Sequence, residues 1–174
     1  MAGRHPSGEG TGGSQSGSAA VWFLLVLPVL LLAVGLSLDV GRLVVARAHA
    51  QAAADFASLA AVQELDLDRL SRGEPWLRAA DAERVARTWV ADNLRLGLGE
   101  MLAGAAETRV AVINAGDDAP RPHPWTGRLL REPTVAVETV VPVRLRFLPG
   151  GPRVRVTVRA DASVVRASPR PAPP

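Results

Sequence analysis

The chain has 174 residues, enough for one folded domain with appendages and too few for a large multidomain enzyme. Apolar residues make up 48% of it and aromatic ones only 4%, a balance of Ala, Val and Leu that suits membrane or long-helix packing better than an aromatic-lined pocket. The absence of Cys excludes disulfides, thiolate metal sites and a Cys nucleophile, and a net charge of +3, carried by Arg without any Lys, excludes a polybasic protein.

Residues 1–17 are Gly- and Ser-rich, have no apolar period and read as a disordered polar tail. No charged side chain then occurs between Glu9 and Asp39, and Ala19 to Leu38 is a run of 20 almost wholly apolar residues. At 1.5 Å per residue this run crosses a hydrocarbon core of about 30 Å, so it predicts a transmembrane helix. Pro28 and Gly35 are compatible with it, and Pro28 marks a mild kink. A cleaved secretory signal is the competing reading. It is disfavoured because the run is long, barely basic in front, and far from the small-residue site Ala48-His49-Ala50.

Nothing breaks the helix after Asp39. Gly is absent between Arg42 and Arg72, Pro is absent from Val29 to Glu74, and Ala is abundant, so the membrane helix is expected to continue as a stalk to about Leu70. Val45, Ala52, Phe56, Leu59 and Val62 fall on one side of it at helical spacing, and Arg47, Gln51, Asp55 and Ser58 fall on another. Half of this rod then lies in lipid and half needs a protein partner. Glu74-Pro75 signals a second helix, with Ala82, Val85, Ala86, Trp89, Val90 and Asn93 along one face and Gly97 and Gly99 ending it.

Beyond Gly99 the period changes to two. Val110 and Val112 mark a short strand, and the Pro-rich stretch from Ala115 to Pro133 reads as a loop without regular structure. Val135 to Phe147 and Val154 to Val164 alternate apolar and polar residues around Pro149-Gly150-Gly151-Pro152, which predicts an antiparallel hairpin with one buried and one wet face. Pro142 belongs at an edge or bulge, since it has no N–H to donate. The expected fold is α+β and pilin-like: a disordered tail over 1–17, a transmembrane and stalk helix over 18–70, a small head of one amphipathic helix and about three antiparallel strands over 71–168, and a Pro-rich tail over 169–174.

Gly17-Ser18-Ala19-Ala20-Val21, Pro28, Asp39-Val40-Gly41-Arg42, Arg47 and the run Gln51 to Ala61 occur in an order that resembles the N-terminal segment of the TadE/TadG-like proteins of tight-adherence (Flp) pilus systems. The resemblance covers about a quarter of the chain and implies a short, TadE-like minor pseudopilin. It implies a single-pass cell membrane protein of a bacterium with its C-terminal domain outside the cytoplasm. Implied partners are membrane lipid and other pilus-assembly or pilin-like subunits, in an oligomer. It also implies Gly17 as a processing site. Trp22 stands where cleaved pilins carry an acidic residue, so the tail is expected to remain. By Arg count alone, charge flanking the span leans the other way, toward an inward C-terminus.

Asp39 and Arg42 stand i, i+3 at the membrane exit, as a membrane anchor or a contact to a neighbouring subunit. Ala46, Ala53, Ala57 and Ala60 form a small-residue face suited to packing against another subunit's helix. No catalytic, cofactor or metal site is expected. His5, His49 and His123 lack ligand spacing, and Glu64, Asp66 and Asp68 read as a solvated helix end. Pro142 to Pro174 carries 7 Arg against Asp161, a net of +6. With Arg144, Arg146, Arg153, Arg155 and Arg159 on one strand face, a solvent- or head-group-facing sheet is expected ahead of nucleic-acid binding. The alternative from another class is a single-pass membrane scaffold or regulatory protein whose soluble domain binds a ligand.

Overall fold

The computed structural model describes residues 15–148 and 150–165. Of the tails expected from the sequence, 1–14 and 169–174 lie outside the described residues. Helix α1, Gln15–Ala61, is one continuous helix of 47 residues that runs through Pro28. At 1.5 Å per residue it is about 70 Å long. Its residues from Ala20 onward include a stretch long and apolar enough to cross a membrane.

The stalk stops nine residues before the expected Leu70. Val62 N–H still reaches Ser58 O at 3.0 Å, but Gln63 and Glu64 bond back only three residues, to Ala60 and Ala61, in a tightened last turn. The chain then pairs with a later segment. Leu65 bridges Leu77, Asp66 N–H donates to Trp76 O at 2.8 Å, and Arg78 N–H to Glu64 O at 2.8 Å. Asp66 favours this break because its carboxylate caps the short helix α2, Leu67–Leu70, through Arg69 N–H at 3.1 Å. Local helix propensity therefore loses to a cap and a backbone pairing that no residue-by-residue scale contains.

The same pairing delays the second long helix, α3, which is Ala79–Leu98 rather than starting at Pro75. Its buried residues are Ala82, Ala86, Val90 and Leu94, at i+4 steps, while Trp89 is exposed. Gly99, at φ 81°, ends it, and a single turn, α4, Glu100–Gly104, follows. The Asn114 side chain fastens the α2–α3 connection to the sheet by accepting Leu77 N–H at 2.7 Å and donating to Leu77 O at 3.0 Å.

The strands are β1 (Glu107–Ile113), β2 (Arg121–Pro122), β3 (Leu129–Leu130), β4 (Thr134–Arg144) and β5 (Arg153–Ser163). β1, β4 and β5 form an antiparallel sheet in the order β1-β4-β5, and β2 with β3 forms a two-residue ladder inside the stretch expected to have no regular structure. β1 pairs β4 only as far as Val140, so Pro142 sits where one flank of β4 is a free edge, as its missing N–H requires.

One expectation for the hairpin needs correction. β5 is amphipathic, with Val158, Ala160 and Ala162 buried and its Arg residues outside, but β4 is covered on both faces, by α1 and α3 on one and by the β1–β4 connection and flanking side chains on the other. On its outer face Ala136 joins Ile113, Ala115 and Leu130 beside Trp125. Also outside, Glu138 is flanked by its register partners Arg109 and Arg159, at 3.8 and 2.7 Å.

The core forms around the second half of α1. Ala46, Ala50, Ala53, Ala54, Ala57 and Ala61 cluster with Leu77, Ala82, Ala86, Val90 and Leu94 and with the β4–β5 residues Val135, Val137, Val141, Val143 and Val158. Alanine against alanine lets helices α1 and α3 pack closely, because small side chains hold two backbones least far apart.

Candidate functional site at the junction of helix and head

The β4–β5 connection reverses the chain at one end of the sheet. Leu145 N–H donates to Pro152 O and Gly151 N–H to Leu148 O, both at 3.0 Å, and this curl leaves three successive amides facing α1. The amides of Arg146, Phe147 and Leu148 donate to the Asp39 carboxylate at 2.9, 2.9 and 3.2 Å. Asp39 is 1% exposed. A run of consecutive N–H groups is a natural anion cradle, and here the anion is supplied by the chain itself. One turn earlier, Gly35 makes the approach possible. A Cβ placed there would meet the Phe147 Cβ at 2.7 Å. Gly35 and Asp39 thus form a two-residue seat, i and i+4 on one helix face, for the turn of the hairpin.

Asp39 is therefore tied to its own head domain rather than paired with Arg42. Arg42 has no carboxylate within 4 Å among the described residues. It is exposed, on the border of an apolar groove of about 430 Å³ lined also by Leu38, Val45, Gly97, Leu98 and Leu102. Sequence spacing suggested the Asp39–Arg42 pairing because it sees only partners three or four residues away. The partner used lies 107 to 109 residues further on and offers main-chain atoms, which no side-chain pattern reports.

The alanine face also turns inward. Ala46, Ala53 and Ala57 are buried against α3 and the sheet, and Ala60 is half-buried at the border. Small residues do mark a close helix contact, but that contact is within the chain. The face that stays open is the larger apolar one. Val45, Ala52, Phe56 and Leu59 are exposed, and only Val62 of that stripe turns partly inward. On the polar side, Gln51 donates to Arg159 O and to Asp55 Oδ1, both at 2.9 Å, and so ties the stalk to β5. Gly17 lies in the first turn of α1.

Among the five hairpin arginines, Arg155 and Arg159 are engaged by Glu107 at 3.1 Å and Glu138 at 2.7 Å. Arg144, Arg146 and Arg153, at the turn, have no carboxylate within 4 Å among the described residues. His49 lies against Gly97, and His123 is buried, with its Nδ1 accepting Trp125 and Thr126 N–H at 3.3 Å. His5 lies outside the described residues.

Residues 17–64 match the family model described as Flp pilus-assembly TadE/G-like. This segment is TadE/TadG-like. It coincides with nearly the whole of α1, from its first turn to the tightened turn that ends it, and contains both halves of the seat, Gly35 and Asp39. Comparison with curated proteins and with solved structures finds no match. Over this TadE/G-like segment the chain is thus similar to pilus-assembly proteins, and the same segment includes the helix able to cross a membrane.

Proposed function

We propose that the protein is a membrane-anchored structural component of a Flp-type pilus or a related secretion apparatus, with its head outside the cytoplasm and its N-terminal tail retained ahead of Gly17. The observation that carries this reading is the coincidence of the TadE/G-like match with α1. The matched segment comprises a span followed by a stalk helix, which are the parts an assembly subunit needs to stand in a membrane and meet its neighbours.

In this reading the contact to other subunits runs through the outward stripe of Val45, Ala52, Phe56 and Leu59. The alanines are already covered by the head. An apolar stripe on a helix beside a membrane suits the groove or stripe of a second helix. Asp39 and Gly35 serve it by fixing the angle at which the head stands on the helix.

The cysteine-free chain allows the contact to be tested directly in its native host. Single Cys residues at Val45 and Leu59 are expected to cross-link to another pilus-assembly subunit, whereas Cys at exposed Asp118, far along the sheet from the junction, is not. Deleting the gene is expected to remove or reduce surface pili. A reporter fused after Pro174 that is active only in the cytoplasm would overturn the stated orientation and favour a membrane scaffold with a cytoplasmic ligand-binding domain. A new N-terminus at Ser18 would show that the tail is removed after Gly17.

A further inference from the structure

The seat on α1 fixes how far the head stands from the membrane. Gly35 is three residues inside the apolar run that ends at Leu38, or about 4.5 Å along the axis. Phe147 presses against it, so the turn of the hairpin is held level with the last turn of the span. Asp39, the first residue after the run, holds the three amides of that same turn.

What the turn exposes at this level is not typical of a water-facing loop. Phe147 is 51% exposed although its backbone is firmly held, and Leu148 beside it is only half-buried. Beside them on the hairpin stand Arg144, Arg146 and Arg153, and Arg42 follows Asp39 by three residues on the helix, all exposed and none with a carboxylate within 4 Å among the described residues. The acids on the sheet's outer face are engaged elsewhere: Glu107 by Arg155, Glu138 by Arg159 and Asp161 by Arg128.

We propose that the β4–β5 turn is a second membrane contact, in which Phe147 enters the interface and Arg42, Arg144, Arg146 and Arg153 bind the phosphates of anionic lipid head groups. An aromatic ring at the boundary with cations beside it is the arrangement that interfacial anchoring uses, and each Arg near an anionic surface adds to the attraction until salt screens it. The partner is a lipid surface because the span brings one to this depth whatever else binds the chain. The head then touches the bilayer at two points, α1 and the turn, and its tilt is fixed by both. The contact follows from the span and the Asp39 seat and does not depend on the pilus assignment.

The test uses the full chain reconstituted in vesicles of phosphatidylcholine with phosphatidylglycerol, each preparation carrying an environment-sensitive fluorophore on a single introduced Cys. The positions are Phe147→Cys, Arg146→Cys and, as a distant control, Asp118→Cys. A nitroxide on the lipid head group is expected to quench the labels at 147 and 146 several-fold more than the label at 118. Replacing Arg42, Arg144 and Arg153 together by Gln, or raising the salt, is expected to reduce quenching at 146, as is omitting phosphatidylglycerol. Arg146→Cys keeps the backbone amide that Asp39 holds and leaves Phe147 in place, so it reports even where Phe147→Cys loosens the turn. Quenching at 146 and 147 no greater than at 118 would overturn the proposal. So would quenching indifferent to both the arginines and phosphatidylglycerol, or labels that become shielded only in native membranes, where another protein would then be the partner.

Discussion

The two halves of α1 are continuous in backbone, yet they are built from different side chains. From Val21 to Leu38 the residues are mostly Leu, Val, Trp and Phe, and all but Gly35 are exposed. From Asp39 to Ala61 the buried positions are almost all alanine, and they are covered by α3 and the sheet. The difference follows from the partner. Lipid chains flow around any shape, so bulk is welcome there. A folded head is rigid, and only a flat helix face lets a second helix and a sheet both come close enough to exclude water.

Charge placed in either half should separate them, and the larger effect is expected in the stalk. Ala57 is fully buried, so Ala57→Glu puts a carboxylate into a dry contact and is expected to remove about 4 kcal/mol or more of head stability. Limited proteolysis should then cut within α3 and the sheet while the protein still fractionates with membranes. A head as resistant as wild type would mean that this face of α1 is not the core.

In the other half, Leu31→Arg is expected to cost about 2.5 to 3.5 kcal/mol of insertion. The protein should leave the membrane fraction, and the head, which makes no use of Leu31, should still unfold cooperatively. Retention in the membrane fraction at wild-type level would defeat the assignment of the span.

These two contrasts also show which features the sequence displays openly. The span, most of the α3 face and the β5 alternation were legible because each is a local pattern: an uncharged run from Ala19 to Leu38, Ala82, Ala86 and Val90 at i+4 steps though not Leu94, and a period of two from Val154 to Ala162. The end of the stalk was not, because it depends on Leu65 meeting Leu77 across the chain. The covered outer face of β4 was not either. Glu138 looks wet until Arg109 and Arg159 are known to flank it. The seat at Asp39 was half legible. An acid at the exit of a span was visible, but its partners are amides. The inward turn of the alanines was not legible, since a small-residue stripe reports a close contact without saying whether the neighbour is another chain or a later part of the same one.

The boundary between the halves is tested more gently by the seat itself. Asp39→Ala leaves three amides without their acceptor, and hydrogen exchange at Arg146, Phe147 and Leu148 is expected to accelerate sharply, with a lesser effect at the far end of the sheet near Thr134. Gly35→Ala should act in the same direction more weakly, by pushing the Phe147 Cβ away. Unchanged exchange at these three amides in Asp39→Ala would show that the turn is held by other contacts.

The smallest effect on the fold is expected where the stalk half behaves like the lipid half. Phe56 is 55% exposed and, with Val45, Ala52 and Leu59, gives the stalk an apolar outer stripe, although it lies beyond the span. A water-exposed Phe contributes little to its own domain, so Phe56→Ser should change head stability by no more than about 0.5 kcal/mol. If the stripe is the contact to another subunit, the same substitution should reduce co-purification with pilus-assembly partners, because a large aromatic at the centre of an interface carries much of its binding energy. Loss of partners at unchanged melting temperature would assign the stripe to assembly. Unchanged partners would return it to the solvent and leave the head, not the stalk, as the surface through which this protein meets others.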